Sequence, residues 1–134
     1  MEKYYEELLE KAKAMTEFSY APYSKFLVGA SILYKSGNVY GGCNVENSSY
    51  GLSLCAERNA ISNAVAHGEK SAPVAIAIVS KNRKMCSPCG ACRQWLVEFE
   101  HKDIDVEVIL EGENGEPKVY KASELLPLSF NLND

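Results

Sequence analysis

Pro73-Val74-Ala75-Ile76-Ala77-Ile78-Val79 is an apolar run without polar alternation. A strand with one wet face alternates apolar and polar residues; a strand covered on both faces does not. Residues 74–79 are therefore expected to form a strand buried between two layers. Just upstream, Cys55 to His67 is alanine-rich and free of Gly and Pro, which predicts a helix ending at Gly68. Just downstream, Ser87-Pro88 reads as an N-cap and first helical residue of a helix running to about Phe99. Farther out, a strand over Leu27–Tyr34 turns at Ser36-Gly37-Asn38 and returns from Val39 as a hairpin. Ile104, Val106, Val108 and Leu110 alternate as a strand with one buried face. Glu113–Glu116 turns into a last strand through Val119 and Tyr120, and Ser123–Leu126 is a helical turn stopped by Pro127. Tyr5, Leu8, Leu9, Ala12 and Met15 share one face of a helix over Tyr4–Met15, a packing helix with no chemistry assigned. Ser19–Lys25 and Gly41–Ser53 read as irregular. This order predicts an α/β fold, a mixed sheet covered by helices on its faces.

Composition narrows what such a fold can do. The chain has 134 residues, near the commonest domain size, and is read as a single domain over 1–134. With 46% hydrophobic and 24% charged residues it can build a core, which excludes a disordered chain. No apolar stretch approaches the roughly 20 residues of a membrane span, and Met1–Glu7 shows no leader pattern, so a cytoplasmic location is expected. The net charge is −4, and the longest basic run is Lys81-Asn82-Arg83-Lys84. Nucleic acid and anionic membrane are disfavoured as partners, and small neutral substrates stay open.

The five cysteines, Cys43, Cys55, Cys86, Cys89 and Cys92, crowd towards metal or redox chemistry rather than a disulfide framework. Cys89 and Cys92 lie one turn apart at a helix start, and Cys55 opens another helix. Helix N-termini favour thiolates. Three thiolates can hold Zn²⁺ with the fourth tetrahedral position open, the mark of a catalytic zinc. Glu57, two residues beyond Cys55, can then stand beside the metal and carry protons without binding it. Two other readings remain: Cys55, Cys86, Cys89 and Cys92 closing a structural zinc module, and Cys86 with Cys89 as a redox pair. Cys86 precedes the Ser87 cap, outside the helix, and both readings leave Glu57 idle. Arg58 beside the cysteines would offset the excess negative charge of three thiolates and a hydroxide around zinc.

Ala21-Pro22-Tyr23-Ser24-Lys25-Phe26, Val28-Gly29-Ala30, Gly42-Cys43-Asn44-Val45-Glu46-Asn47, Tyr50-Gly51, Cys55-Ala56-Glu57-Arg58, Pro88-Cys89-Gly90-Ala91-Cys92 and Leu125-Leu126-Pro127 together resemble the small, homotetrameric type of cytidine deaminase over nearly the whole chain. The resemblance implies a three-layer α/β/α cytidine-deaminase-like fold with a mixed five-stranded sheet. It also implies zinc-dependent hydrolytic deamination of cytidine and deoxycytidine, as in pyrimidine salvage. Cys55, Cys89 and Cys92 would ligate one zinc per chain, and Glu57 would shuttle protons. Asn44 and Glu46 would bind the ribose 3′-hydroxyl, Phe26 would pack on the nucleoside, and the Ala56 backbone would contact the pyrimidine carbonyl. Tyr50 and Phe130 would stand near a neighbouring chain's site in a homotetramer. A deaminase of a related aminopyrimidine nucleoside such as blasticidin is the alternative. Asn59, Trp95 and Cys86 depart from the family's usual residues without removing a catalytic group.

Overall fold

In the computed structural model, which describes residues 3–101 and 103–132, the chain runs α1 (Lys3–Met15), β1 (Val28–Tyr34), β2 (Val39–Cys43), α2 (Ala56–Ala66), β3 (Pro73–Ser80), α3 (Gly90–Phe99), β4 (Glu107–Glu111), β5 (Pro117–Lys121) and α4 (Ala122–Leu125). Met1 and Glu2, part of the N-terminal stretch read for a leader, lie outside the described residues. The strand order is β2-β1-β3-β4-β5, with β3 at the centre. The β3–β4 pair is parallel, and β1–β2, β1–β3 and β4–β5 are antiparallel, so the sheet is mixed as expected.

The unbroken apolar character of β3 follows from its two covered faces. Ile76 and Ile78 point to one side, into a cluster with Ala56, Ala60, Ile61 and Ala64 of α2 and Leu96 of α3. Ala75, Ala77 and Val79 point to the other side, against Leu8, Leu9 and Ala12 of α1. Each fully buried isoleucine contributes roughly 1.5–3 kcal/mol of apolar transfer. The result is three layers, α1 on one face and α2 with α3 on the other.

Two glycines let the helices approach. A Cβ on Gly42 of β2 would lie 2.3 Å from the Ala60 nitrogen and 2.6 Å from the Ala56 oxygen. A Cβ on Gly29 of β1 would lie 2.0 Å from the Ala12 oxygen of α1. Backbone thus meets backbone on both faces of the sheet, and α2 is seated directly on β2. Asn59 and Asn63 of α2 add side-chain hydrogen bonds to the Cys43 and Gly41 carbonyls, at 2.7 and 3.1 Å.

Several local expectations shift. The residues read as irregular from Gly41 begin with the end of β2, which runs through Cys43. Beyond it, Val45 bridges Tyr20 and Leu54. Strand β4 starts at Glu107 rather than near Ile104, because the Ile104 N–H turns back to the His101 carbonyl at 2.9 Å. Helix α3 starts at Gly90 with Cys89 as its N-cap, not at Pro88 with Ser87. The Arg93 backbone N–H donates to the Cys89 carbonyl at 3.0 Å, and the Arg93 Nε donates to the Pro88 carbonyl at 2.8 Å. This tie spends the Pro88 carbonyl on a side chain and leaves Ser87-Pro88 as an approach to the helix. No helix among the described residues is long and apolar enough to cross a membrane.

Candidate active site

The two helices that cover one face of the sheet begin at cysteines. Cys55 is the N-cap of α2 and Cys89 the N-cap of α3, both in extended backbone and neither using its side chain to cap. Their sulfurs remain available for something else. Cys92, one turn into α3 and fully buried, brings the third sulfur. The three Sγ atoms lie within 4.8 Å of one another, and Cys89 and Cys92 are 3.5 Å apart. Tetrahedral zinc with Zn–S bonds of about 2.3 Å needs sulfurs roughly 3.8 Å apart, so the donor set fits that ion. Cys86 stands outside the trio and packs instead against the core, where burial pushes its thiol pKa up. Burial does the same to Cys43.

The site is electrostatically prepared for thiolate. The Cys55 thiol is pulled down to about 5, first by its hydrogen bond with the Cys92 thiol and then by Arg58. The Arg58 Nη2 donates to Cys55 Sγ at 3.4 Å and to the Ser53 carbonyl at 3.3 Å. Contact with Cys55 raises the already basic guanidinium further. The Cys92 thiol moves up, as the donor in its bond to Cys55 and through burial.

Glu57 sits in the first turn of α2 and is only 5% exposed. Burial raises its carboxyl pKa, and the negative Cys55 adds to this. A hydrogen bond from its own backbone N–H pulls the other way. A buried carboxyl beside the thiol cluster, with its proton affinity raised, is suited to take and return a proton. Ala56, at the first position of α2, is fully buried. By helix geometry its N–H has no intrahelical acceptor.

The second group of expected residues comes together in two loops laced side by side. The Tyr20 N–H donates to the Asn44 carbonyl at 3.0 Å and the Glu46 N–H to the Tyr20 carbonyl at 2.8 Å. The Asn44 amide brackets the segment before β1: its Nδ2 donates to the Phe26 carbonyl at 2.8 Å and its Oδ1 accepts the Val28 N–H at 3.0 Å. The Glu46 carboxylate accepts the Tyr23 and Ser24 N–H groups, each at 3.1 Å, and the Ser24 hydroxyl. The last two residues' donors hold its pKa below the usual carboxylate value, the Ser24 hydroxyl most of all. Phe26 is half-buried. A cavity of about 300 Å³ is lined by Tyr23, Ser24, Glu46, Tyr50 and Ser53. Ser53 joins this cavity to the thiol cluster, since its carbonyl and Cys55 share the Arg58 guanidinium.

Two expected residues are largely exposed within a single chain. Tyr50 lines the cavity but is 79% exposed, and Phe130 is 70% exposed. The Phe130 carbonyl accepts Gln94 Nε2 of α3 at 2.7 Å, which ties the C-terminal segment to the cysteine-bearing helix. Ser24 and Ser53, both at the cavity, carried no spacing signal; Ser24 meets Glu46 22 residues along the chain, and Ser53 meets Asn47 and Arg58 across the loop before α2.

Comparison with known proteins agrees with this geometry. The sequence pattern of the family described as "Cytidine and deoxycytidylate deaminase zinc-binding region" matches residues 2–108. The chain is 42% identical over 127 residues to a cytidine deaminase of Halalkalibacterium halodurans, spanning 95% of this chain and 94% of that protein. It is 43% identical over 130 residues to one of Sporosarcina psychrophila, spanning 96% and 93%. The crystal structure of a cytidine deaminase from Burkholderia pseudomallei superposes with a TM-score of 0.85 at 44% identity, covering 97% of this chain and all of that one. Three thiols gathered at two helix starts, a buried carboxyl beside them and this breadth of match place the chain in the zinc-binding cytidine and deoxycytidylate deaminase family.

Proposed function

We propose that this protein is a zinc-dependent cytidine deaminase, converting cytidine and deoxycytidine to uridine and deoxyuridine with release of ammonia. The carrying observation is the buried Glu57 carboxyl set against the Cys55, Cys89 and Cys92 thiols at two helix starts. Cys55, Cys89 and Cys92 would hold one zinc per chain. Zinc so held supplies the Lewis acidity that makes water a nucleophile at neutral pH. Glu57 takes a proton from the attacking water and places it on ring N3 as oxygen bonds to C4. It then carries a second proton from the new C4 hydroxyl to the amine, and ammonia leaves as the C4–N bond breaks. With the Cys92 thiol, Arg58 favours the thiolate form of Cys55, and it offsets the local negative charge.

Substrate is held by the loop pair. Glu46 and Asn44 read the ribose 3′-hydroxyl, Phe26 packs on the nucleoside, and the Ala56 N–H meets the pyrimidine carbonyl. An anionic Glu46 at the sugar repels a phosphate, which favours nucleosides over nucleotides. The core position of Cys86, apart from the three clustered sulfurs, speaks against a four-cysteine structural module. We place the enzyme in the cytoplasm as one domain over 1–134, serving pyrimidine salvage. We also propose a homotetramer with shared sites. Tyr50, Leu52, Leu128, Phe130 and Leu132 expose large apolar surface around the cavity loop and the C-terminal segment, at 79%, 66%, 104%, 70% and 86%, and a neighbour would cover it. The test is direct: purified protein mixed with cytidine should release ammonia, and zinc chelation should stop it. Zinc-loaded protein that leaves cytidine unchanged overturns the proposal.

A further inference from the structure

We propose that Ser24 is a positioning residue that aims the Glu46 carboxylate at the sugar and couples it to Phe26. This rests on the nucleoside deaminase reading above. Ser24 lies between the two groups assigned to the substrate. Its hydroxyl bonds Glu46 Oε2, and its Oγ accepts the Phe26 N–H at 3.0 Å. The proton's direction is fixed by its partners. A backbone N–H can only donate and an ionised carboxylate can only accept, so the hydroxyl must donate to Glu46. The intervening Lys25 holds a left-handed backbone, φ 63°, which folds the chain so that residue 24 reaches the N–H of residue 26. The Lys25 N–H closes the turn on the Ala21 carbonyl at 3.0 Å.

The arrangement leaves Glu46 one purpose. Oε1 accepts two backbone N–H groups, from Tyr23 and Ser24, each at 3.1 Å, and Oε2 accepts the Ser24 hydroxyl. A carboxylate offers about four lone-pair sites. The one left over is on Oε2, the oxygen whose orientation Ser24 sets. The two backbone donors fix where the carboxylate is; the Ser24 hydroxyl fixes how it is rotated. A sugar hydroxyl donating to Oε2 therefore meets a preset acceptor. Without Ser24 the carboxylate turns about its last torsion, and the Phe26 N–H loses its acceptor.

The test couples the side chain to the sugar group it serves. Parent, Ser24→Ala and Ser24→Thr proteins, zinc-loaded and checked for equal metal content and melting temperature, are assayed with cytidine and 3′-deoxycytidine. Ser24→Ala should lower kcat/KM for cytidine roughly tenfold, the scale of a lost charge-assisted hydrogen bond that positions another group. It should lower the value for 3′-deoxycytidine clearly less, because that substrate has no hydroxyl to read and registers only the lost Phe26 contact. Ser24→Thr, which keeps the hydroxyl, should restore most of the cytidine value. Equal losses on both nucleosides, or no loss on cytidine, overturn the Ser24 assignment while leaving the deaminase reading intact. A parent that turns over both nucleosides alike overturns the sugar role of Glu46 and this proposal with it. A parent inactive on both, though loaded with zinc, overturns the underlying function.

Discussion

Replacing Gly42 with alanine adds one methyl group where α2 sits on β2, and the consequence should reach the chemistry. The new Cβ would stand 2.3 Å from the Ala60 nitrogen and 2.6 Å from the Ala56 oxygen. Both are backbone atoms of α2, so no side chain can rotate away. Ordinary contact needs about 3.4 Å or more, so the start of α2 must move by roughly 1 Å. Overpacking of this kind costs about 1–3 kcal/mol, and with two immovable neighbours the upper end applies. For a chain of this size that is a fall in Tm of about 10 °C. The same movement displaces Cys55, Ala56 and Glu57, which head the helix. A misplacement of about 1 Å at a reacting centre can cost 10²-fold in rate. Gly29→Ala is the matched control. Its Cβ would lie 2.0 Å from the Ala12 oxygen, on the opposite face of the sheet. Both variants should melt early, but only Gly42→Ala should lose about 10²-fold in kcat per mole of folded, zinc-loaded enzyme. Calorimetry and steady-state ammonia release measure the two effects. Parent-like kcat in folded Gly42→Ala would refute the claim that the α2–β2 contact sets the position of Glu57.

Glu57→Gln should keep its zinc yet lose at least ~10²-fold in kcat, because the amide fills the space without carrying a proton; metal analysis beside turnover checks both halves. Cys55→Ala, Cys89→Ala and Cys92→Ala should each lose zinc and activity, whereas Cys86→Ser should keep both, and zinc loss in Cys86→Ser would restore the closed four-cysteine site. Glu69 accepts hydrogen bonds from Ser36, Asn38, Tyr40 and Ser71, which tie the β1–β2 turn to the start of β3. The Ser71 and Asn38 donors lead in lowering its pKa to about 2. A folded-state pKa below the unfolded one gives stability that is full above about pH 4.5 and is lost as pH falls towards 2. Glu69→Gln should therefore be less stable than the parent at pH 6, with the gap closing in urea melts run towards pH 2. If Phe130 acts on a neighbour's site, refolding Glu57→Ala together with Phe130→Ala should give more activity than the two refolded separately; a monomer by sedimentation refutes the shared site outright.

Most of the fold could be read because its signals are local. The β3 run, the α1 apolar face and the alanine-rich α2 each announce themselves within a dozen residues, and their burial follows the expected pattern. The clustering of Cys55, Cys89 and Cys92, with Glu57 beside them, was readable for a related reason. Their spacing within two helix starts already limits where the sulfurs can go. Helix boundaries were less legible at the site itself. Ser87-Pro88 is the better local start for α3, yet the helix begins after Cys89, where Arg93 holds the Pro88 carbonyl and the Cys89 sulfur stands beside Cys92. Ser24 stands inside a segment that resembles the family, but its contact was not legible, because its partner Glu46 is 22 residues away.

The unfavourable local choices in this chain concentrate where the site is built. Gly42 lies inside a strand, where glycine weakens pairing, and it serves to seat the helix that carries Glu57. Cysteine is not among the favoured N-cap residues, yet both caps at the thiol cluster are cysteines. Among the described residues, three other than glycine hold a left-handed backbone: Lys25, Met85 and Leu128. Each lies within four residues of a group assigned to the reaction, namely Phe26, Cys89 and Phe130. Such conformations carry a cost that surrounding structure must over-determine. For Lys25 the over-determination is visible in the Ala21, Phe26 and Glu46 hydrogen bonds around it; for Met85 it is the N–H bonded to the Glu111 carbonyl of β4 at 2.9 Å. Local propensity and tertiary demand agree through the sheet and its covering helices and part company at the loops and helix starts around the cavity and the thiol cluster. The strain therefore points to the same residues as the chemistry, from backbone angles alone.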